Sequence, residues 1–213
     1  MRVLINVSLK MSLFLFIKIF FICLFGAMSP GPSMLVVVNN ALKSKLSGIM
    51  ASIGHGFGIG IYALFAVIGL EFLTHNYSDI FIVLKISSIT FLFYIGIISI
   101  LKNQEKISNK RNLDENRSAF VEGFAIAILN PKIFIFFTAI YSQFLSLDNN
   151  IVLNFTLVST AMIVDMIWYI ILTILVTVLG LKNFFYRRIF LIRKIVGLLF
   201  ILISVVLMIN LFK

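Results

Sequence analysis

Six long apolar runs, parted only by short polar gaps, leave this chain few ways to fold. They cover about Ser12–Asn40, Ile49–Leu70, Ile80–Leu101, Ala119–Leu145, Ile151–Leu181 and Ile195–Phe212. A helix needs roughly 20 apolar residues to cross the hydrocarbon core of a bilayer, and each run meets or approaches that length. Inside hydrocarbon every backbone N–H and C=O has to be bonded within the protein, which an uninterrupted apolar run achieves as an α-helix. The expectation is an all-α integral membrane protein with six transmembrane helices. With 61% hydrophobic and 12% charged residues, a water-soluble domain of this size could not hide its apolar surface. No gap leaves room for a separate soluble domain, so residues 1–213 read as one transmembrane domain in contact with lipid.

The chain carries 18 Lys/Arg against 8 Asp/Glu. Such basicity raises the question of nucleic acid. The charges lie in the gaps between apolar runs, however, and form no basic face, zinc-finger spacing or RNA-binding signature, so no nucleic-acid partner is expected. Clustered Lys/Arg between apolar runs instead orients a protein in a membrane. Twelve fall in the gaps after the first, third and fifth runs, and three (Arg2, Lys10 and Lys213) fall on the other side. This bias predicts cytoplasmic basic loops with both termini outside. The stretch Met11–Val38 is too long for a signal-peptide core and reads as the first membrane helix; Met1 and Met11 are both candidate starts. The single cysteine, Cys23, permits no internal disulfide or thiolate metal site and reads as a small buried hydrophobe.

The most polar gap, residues 102–118 (KNQEKISNKRNLDENRS), divides the chain into 12–101 and 119–212. Each part holds three runs, so two related halves would lie in opposite orientations, the inverted repeat common among secondary transporters. The first run of each half carries a matching interruption. One contains Ser29-Pro30-Gly31-Pro32, the other Asn130-Pro131-Lys132, and these are the only prolines in the chain. Proline removes a backbone donor, clashes with the preceding turn and pushes the residue before it out of helical geometry. Helices 1 and 4 are therefore expected to break at Pro. A half-helix N-terminus carries partial positive charge suited to a carboxylate, and a C-terminus suits a cation. A zwitterion needs both. The plain alternative is a pair of kinks without a ligand.

Asp165 lies in the middle of the fifth run. An ionised carboxylate there costs roughly 2.5–3.5 kcal/mol on insertion scales. It has to face a cavity or partner, or take up a proton, which makes it a candidate proton carrier; a packed, protonated Asp is the structural alternative. Lys132 could attract a substrate carboxylate, balance Asp165 or snorkel to an interface. His55 is expected as a hydrogen-bonded residue close to one membrane face, with a proton-relay role as the alternative. Glu122 and Glu71 are expected at interfaces, and Trp168 and Tyr169 either line a cavity or pack. Gly54 with Gly58, and Gly56 with Gly60, form overlapping GxxxG spacings that let helices approach closely. These also make a homodimer conceivable. No G-x-S-x-G elbow, HExxH motif or P-loop is present, so neither hydrolytic catalysis nor ATP-driven transport by this chain is expected, and no metal or cofactor is implied.

Three blocks carry a resemblance. SPGPSMLVVVNNALKSKLSGIMASIGHGFG (residues 29–58), FVEGFAIAILNPKIFIFFTAIYSQF (120–144) and DMIWY (165–169) resemble the lysine exporter (LysE) family, which includes the homoserine/threonine-resistance exporters. The likeness covers nearly the whole chain. It implies a bacterial inner-membrane exporter of amino acids or close derivatives, driven by proton antiport rather than an enzyme. The central site implied comprises Pro30, Gly31, Pro32, Asn130, Pro131 and Asp165; Ser29 and Lys132, beside these in the sequence, complete the expected substrate and ion site. The 102–118 gap, rich in Lys and Asn, departs from the family. Two rivals remain at this stage, a membrane-embedded enzyme acting on lipid precursors and a scaffold subunit of a larger complex.

Overall fold

The computed structural model describes residues 2–101, 118–142, 144, 151–179 and 182–211. The gap expected as a cytoplasmic loop, up to residue 117, and Gln143 of the second block lie outside the described residues. All the regular structure described is helical, in eight pieces: α1 (Arg2–Met28), α2 (Pro32–Lys43), α3 (Lys45–Asn76), α4 (Ser78–Leu101), α5 (Ala119–Ile128), α6 (Pro131–Tyr141), α7 (Ile151–Thr177) and α8 (Lys182–Leu211).

Both proline interruptions break their helices. The chain bends by 68° between α1 and α2 and by 57° between α5 and α6. Pro32 and Pro131 each occupy the first turn of the helix that follows, where the missing N–H costs nothing and the fixed φ suits a helix start. Among the described residues, α3, α4, α7 and residues Phe190–Leu211 of α8 are long and apolar enough to cross a membrane, and each bent pair also qualifies when counted as one span. The protein is thus a multi-pass membrane protein, with large apolar residues such as Phe65, Val83 and Phe155 exposed on its outside.

Several helix boundaries differ from the sequence expectation. α3 starts at Lys45 rather than Ile49, and α8 at Lys182 rather than Ile195. Hydropathy marks only the part of a helix that sits in hydrocarbon, whereas Lys, Arg and Leu continue a helix readily beyond it. A single extended residue, Ser44, joins α2 to α3, and its hydroxyl caps α3 by accepting from the Ser47 N–H at 3.0 Å.

Helix α3 is the centre of the molecule, and its glycines explain how. Positions two apart on an α-helix lie about 200° apart around the axis, so the two GxxxG spacings form opposite stripes. Gly54 and Gly58 meet α5, while Gly56 and Gly60 meet Met162 and Met166 of α7. The α3–α5 crossing is reciprocal: a Cβ on Gly54 would lie 2.0 Å from the Phe120 carbonyl oxygen, and one on Gly123 would lie 2.0 Å from that of Ala51. Helices α4 and α8 form a second pair, crossing where Gly96 and Gly197 face each other. Both stripes of α3 are taken up within the chain, so the feature that made a dimer conceivable is already used inside one copy.

Gly123→Ala should lower the stability of the detergent-purified protein by about 1–3 kcal/mol, the usual range for overpacking. Gly69→Ala, whose Cβ would meet nothing within 4 Å, should leave the melting temperature unchanged or slightly higher. Equal melting temperatures for the two variants would contradict the close crossing.

Candidate functional site

The two breaks meet in the interior and bond to one another. Asn130 Nδ2 donates to Ser33 Oγ at 3.2 Å, and Lys132 Nζ donates to Ser29 Oγ. Backbone groups freed by the second break are taken up locally. Asn130 Oδ1 caps α6 by accepting from the Lys132 N–H at 3.1 Å, and Tyr62 O–H donates to the Ile128 carbonyl. The first break is different: Gly31, at the N-cap of α2, has no side chain to offer, and α2 begins without a side-chain cap. Its first N–H groups therefore have no side-chain partner, at the end of a helix that attracts negative charge.

Between the breaks lies a cavity of about 540 Å³, counted with the part open to the outside. Five residues expected at the site share its wall: Ser29, Gly31, Asn130, Lys132 and Asp165. Pro30, Pro32 and Pro131 do not line it; Pro32 and Pro131 are exposed, and their part is to stop one helix and start the next. Lys132 points inward, bonded to Ser29 with its Nζ 5.8 Å from the centre of the Phe200 ring, rather than snorkelling to an interface. Most of the remaining wall is apolar, including Ile59, Phe136, Ala161 and Phe200. Cys23 lines it too, buried and unpaired with any other cysteine.

Asp165 is 5% exposed, and its partner is His55, whose Nδ1 lies 2.6 Å from Asp165 Oδ2. His55, expected as a hydrogen-bonded residue, is 1% exposed, bonds to Asp165 and lines the cavity. The available signal was that an intramembrane Asp needs a partner. Tyr169, one turn beyond Asp165, packs edge-on against the His55 ring at 4.8 Å and also lines the cavity, whereas Trp168 packs against the α2–α3–α7 core.

Glu122 is 8% exposed and accepts from Asn40 Nδ2 at 2.7 Å, with Lys43 Nζ 3.7 Å from its other oxygen. The close α3–α5 crossing draws the start of α5 against α2 and so buries it. Glu71, half-buried, accepts from Asn154 Nδ2 at 3.0 Å.

Paired broken helices whose ends enclose a polar pocket at membrane depth are an architecture of membrane translocators. The chain belongs to the LysE type translocator family, whose model matches residues 24–211. It is accordingly a transporter and not an enzyme. An uncharacterized membrane protein of Bacillus subtilis is 23% identical over 81% of this chain and 88% of its own length. One from Synechocystis is 29% identical over 76% of each chain. The threonine efflux protein of Salmonella typhi is 24% identical over 64% of this chain and 69% of that protein. No solved structure matches the chain.

If the bond between the breaks holds the cavity together, Ser33→Ala and Asn130→Ala should be non-additive. A double-mutant cycle on thermal stability should return a coupling of about 0.5–1.5 kcal/mol, the net worth of one hydrogen bond. Additive losses would mean the bond contributes nothing.

Proposed function

We propose that this protein is a secondary transporter that exports zwitterionic amino acids with uncharged side chains from the cytoplasm by exchange for protons. The observation that carries the reading is the cavity wall, where one buried carboxylate, one lysine and one uncapped helix N-terminus come from different helices and face a common space. The substrate carboxylate would sit against the start of α2 and Lys132, with Ser29 and Asn130 bonding around it. The ammonium group would sit against Asp165. With both charges of the zwitterion matched, a charged side chain would be left on the apolar surface of Ile59, Phe136 and Ala161, at a cost of several kcal/mol. The family membership and the similarity to a threonine efflux protein support amino-acid export.

In this reading each bent pair is one span, giving six, and residues 12–101 and 119–212 are inverted repeats. The contact of α1 with α7 has its counterpart in that of α5 with α3, which supports the pairing. The basic gaps face the cytoplasm, both termini face outward, and the membrane is the bacterial inner membrane. The proton gradient across that membrane would drive export. Any homodimer would use a face other than the glycine stripes of α3.

The test is efflux from proteoliposomes under an imposed pH gradient, with leucine, threonine, lysine and glutamate compared. Leucine or threonine should leave at least about tenfold faster than lysine or glutamate. Asp165→Asn should cut that flux by about ten- to a hundredfold, equivalent to about 1.4–2.8 kcal/mol. Absence of any amino-acid flux from wild-type vesicles would sink the reading.

A further inference from the structure

Asp165 does not stand alone, and the atom opposite it is the informative one. With Asp165 as a carboxylate, which can only accept, the 2.6 Å contact calls for the tautomer of neutral His55 with its proton on Nδ1, and Nε2 then keeps a lone pair. That Nε2 atom is buried and has no hydrogen-bond partner among the described residues, although the residue lines the cavity. Tyr169 packs against the ring edge-on and restrains its orientation. The protein has thus oriented an imidazole with a buried carboxylate and left its basic nitrogen unused, in a place where an unmade hydrogen bond is costly.

Resting on the export reading above, we propose that the exchanged proton is carried on Nε2 of His55. Asp165 remains the fixed anion that orients the ring. The proton and the substrate ammonium group are then alternative partners of one His55–Asp165 pair. With Nε2 unprotonated the pair carries one negative charge and attracts an ammonium group. With Nε2 protonated the pair is neutral, and the imidazolium repels that group. Facing outward, the pair takes a proton from water onto Nε2 and the amino acid leaves. Facing the cytoplasm, an arriving ammonium group settles against Asp165 and Nε2 returns its proton to water. One proton enters for each amino acid that leaves, and no bond other than N–H is made or broken.

Other titratable side chains stand around the pair. Facing the cavity with it are Cys23 of α1, Lys132 of α6 and Tyr169 of α7. Cys23 and Tyr169 are an uncharged thiol and phenol at neutral pH, as is Tyr141 of α6, which donates to the Leu157 carbonyl at 2.6 Å. Lys132 is bonded to Ser29 and has Arg193 of α8 as its charged neighbour. On the other elements packed against α3, Lys43 of α2 and Glu122 of α5 are engaged with each other, and Lys85 of α4 does not line the cavity. A glutamine at position 55 retains a group that can donate to Asp165 but cannot carry the proton, which separates coupling from binding.

The experiment uses the full chain in proteoliposomes with labelled leucine or threonine. His55→Gln should lose at least about tenfold more of gradient-driven efflux than of substrate-for-substrate exchange measured without a pH gradient, and should lose the proton movement that substrate evokes from an interior pH dye. Gradient-driven efflux and proton movement at wild-type rates in His55→Gln overturn the proposal alone. Failure of wild-type protein to exchange amino acids overturns the export reading and this proposal with it. If His55→Gln neither exchanges nor folds, the decision passes to His75→Gln, because these are the only two histidines. With the imidazole labelled with nitrogen-15, adding substrate at a fixed, mildly acidic pH should shift Nε2 from protonated to unprotonated. An Nε2 signal unmoved by saturating substrate overturns the proposal.

Discussion

A backbone group that leaves its helix inside hydrocarbon has to find a new partner, because no water is there to supply one. The two proline interruptions create that debt twice, and the centre of the molecule is arranged to settle it. At the second break Asn130 caps α6 and Tyr62 takes the Ile128 carbonyl. Between the breaks, Asn130 and Lys132 reach Ser33 and Ser29. The N-terminus of α2 is left without a side-chain cap. A mostly apolar cavity that nonetheless carries polar and charged groups follows from this incomplete satisfaction.

The cavity also needs walls held at fixed separation, and α3 provides them. Its two glycine stripes bring α5 and α7 against opposite faces at distances no larger residue would allow. On the α7 side the same approach lets the His55 ring reach Asp165. On the α5 side it draws Glu122 into a buried contact with Asn40. Packing by small residues and pairing of ionisable ones are therefore two results of one helix placement. In lipid, where apolar side chains gain little by leaving their surroundings, close backbone contact and interhelical hydrogen bonds carry much of the association.

Much of this was legible in the sequence, for identifiable reasons. Apolar runs long enough to span a bilayer have one regular solution, so the helices could be read directly. Three prolines confined to two places announced the breaks, and the GxxxG spacings announced close packing. Asp165, Lys132, Ser29, Gly31 and Asn130 were recognisable because each is out of place at membrane depth, and they line one cavity. Pro30, Pro32 and Pro131 belong to the same motifs but shape the backbone without lining that wall. What sequence did not yield was rotation: His55 and Glu122 are buried in the interior, and hydropathy does not say which side of a helix turns inward. The partner of Asp165 was not identifiable without knowing which face of α3 turns toward α7. The apolar wall of Phe136 and Phe200 carries no motif, since these residues become neighbours only once α6 and α8 are packed.

The lone thiol has a practical meaning of its own. Cys23 stands on the cavity wall, and it is the only cysteine in the chain. The natural sequence is thus already a single-label protein, with its attachment point beside the His55–Asp165 pair and no engineered cysteine-free background required. A spectroscopic reporter fixed there views the centre of the molecule, and because the thiol is buried, a membrane-impermeant reagent reaches it only when the interior opens to that side of the bilayer.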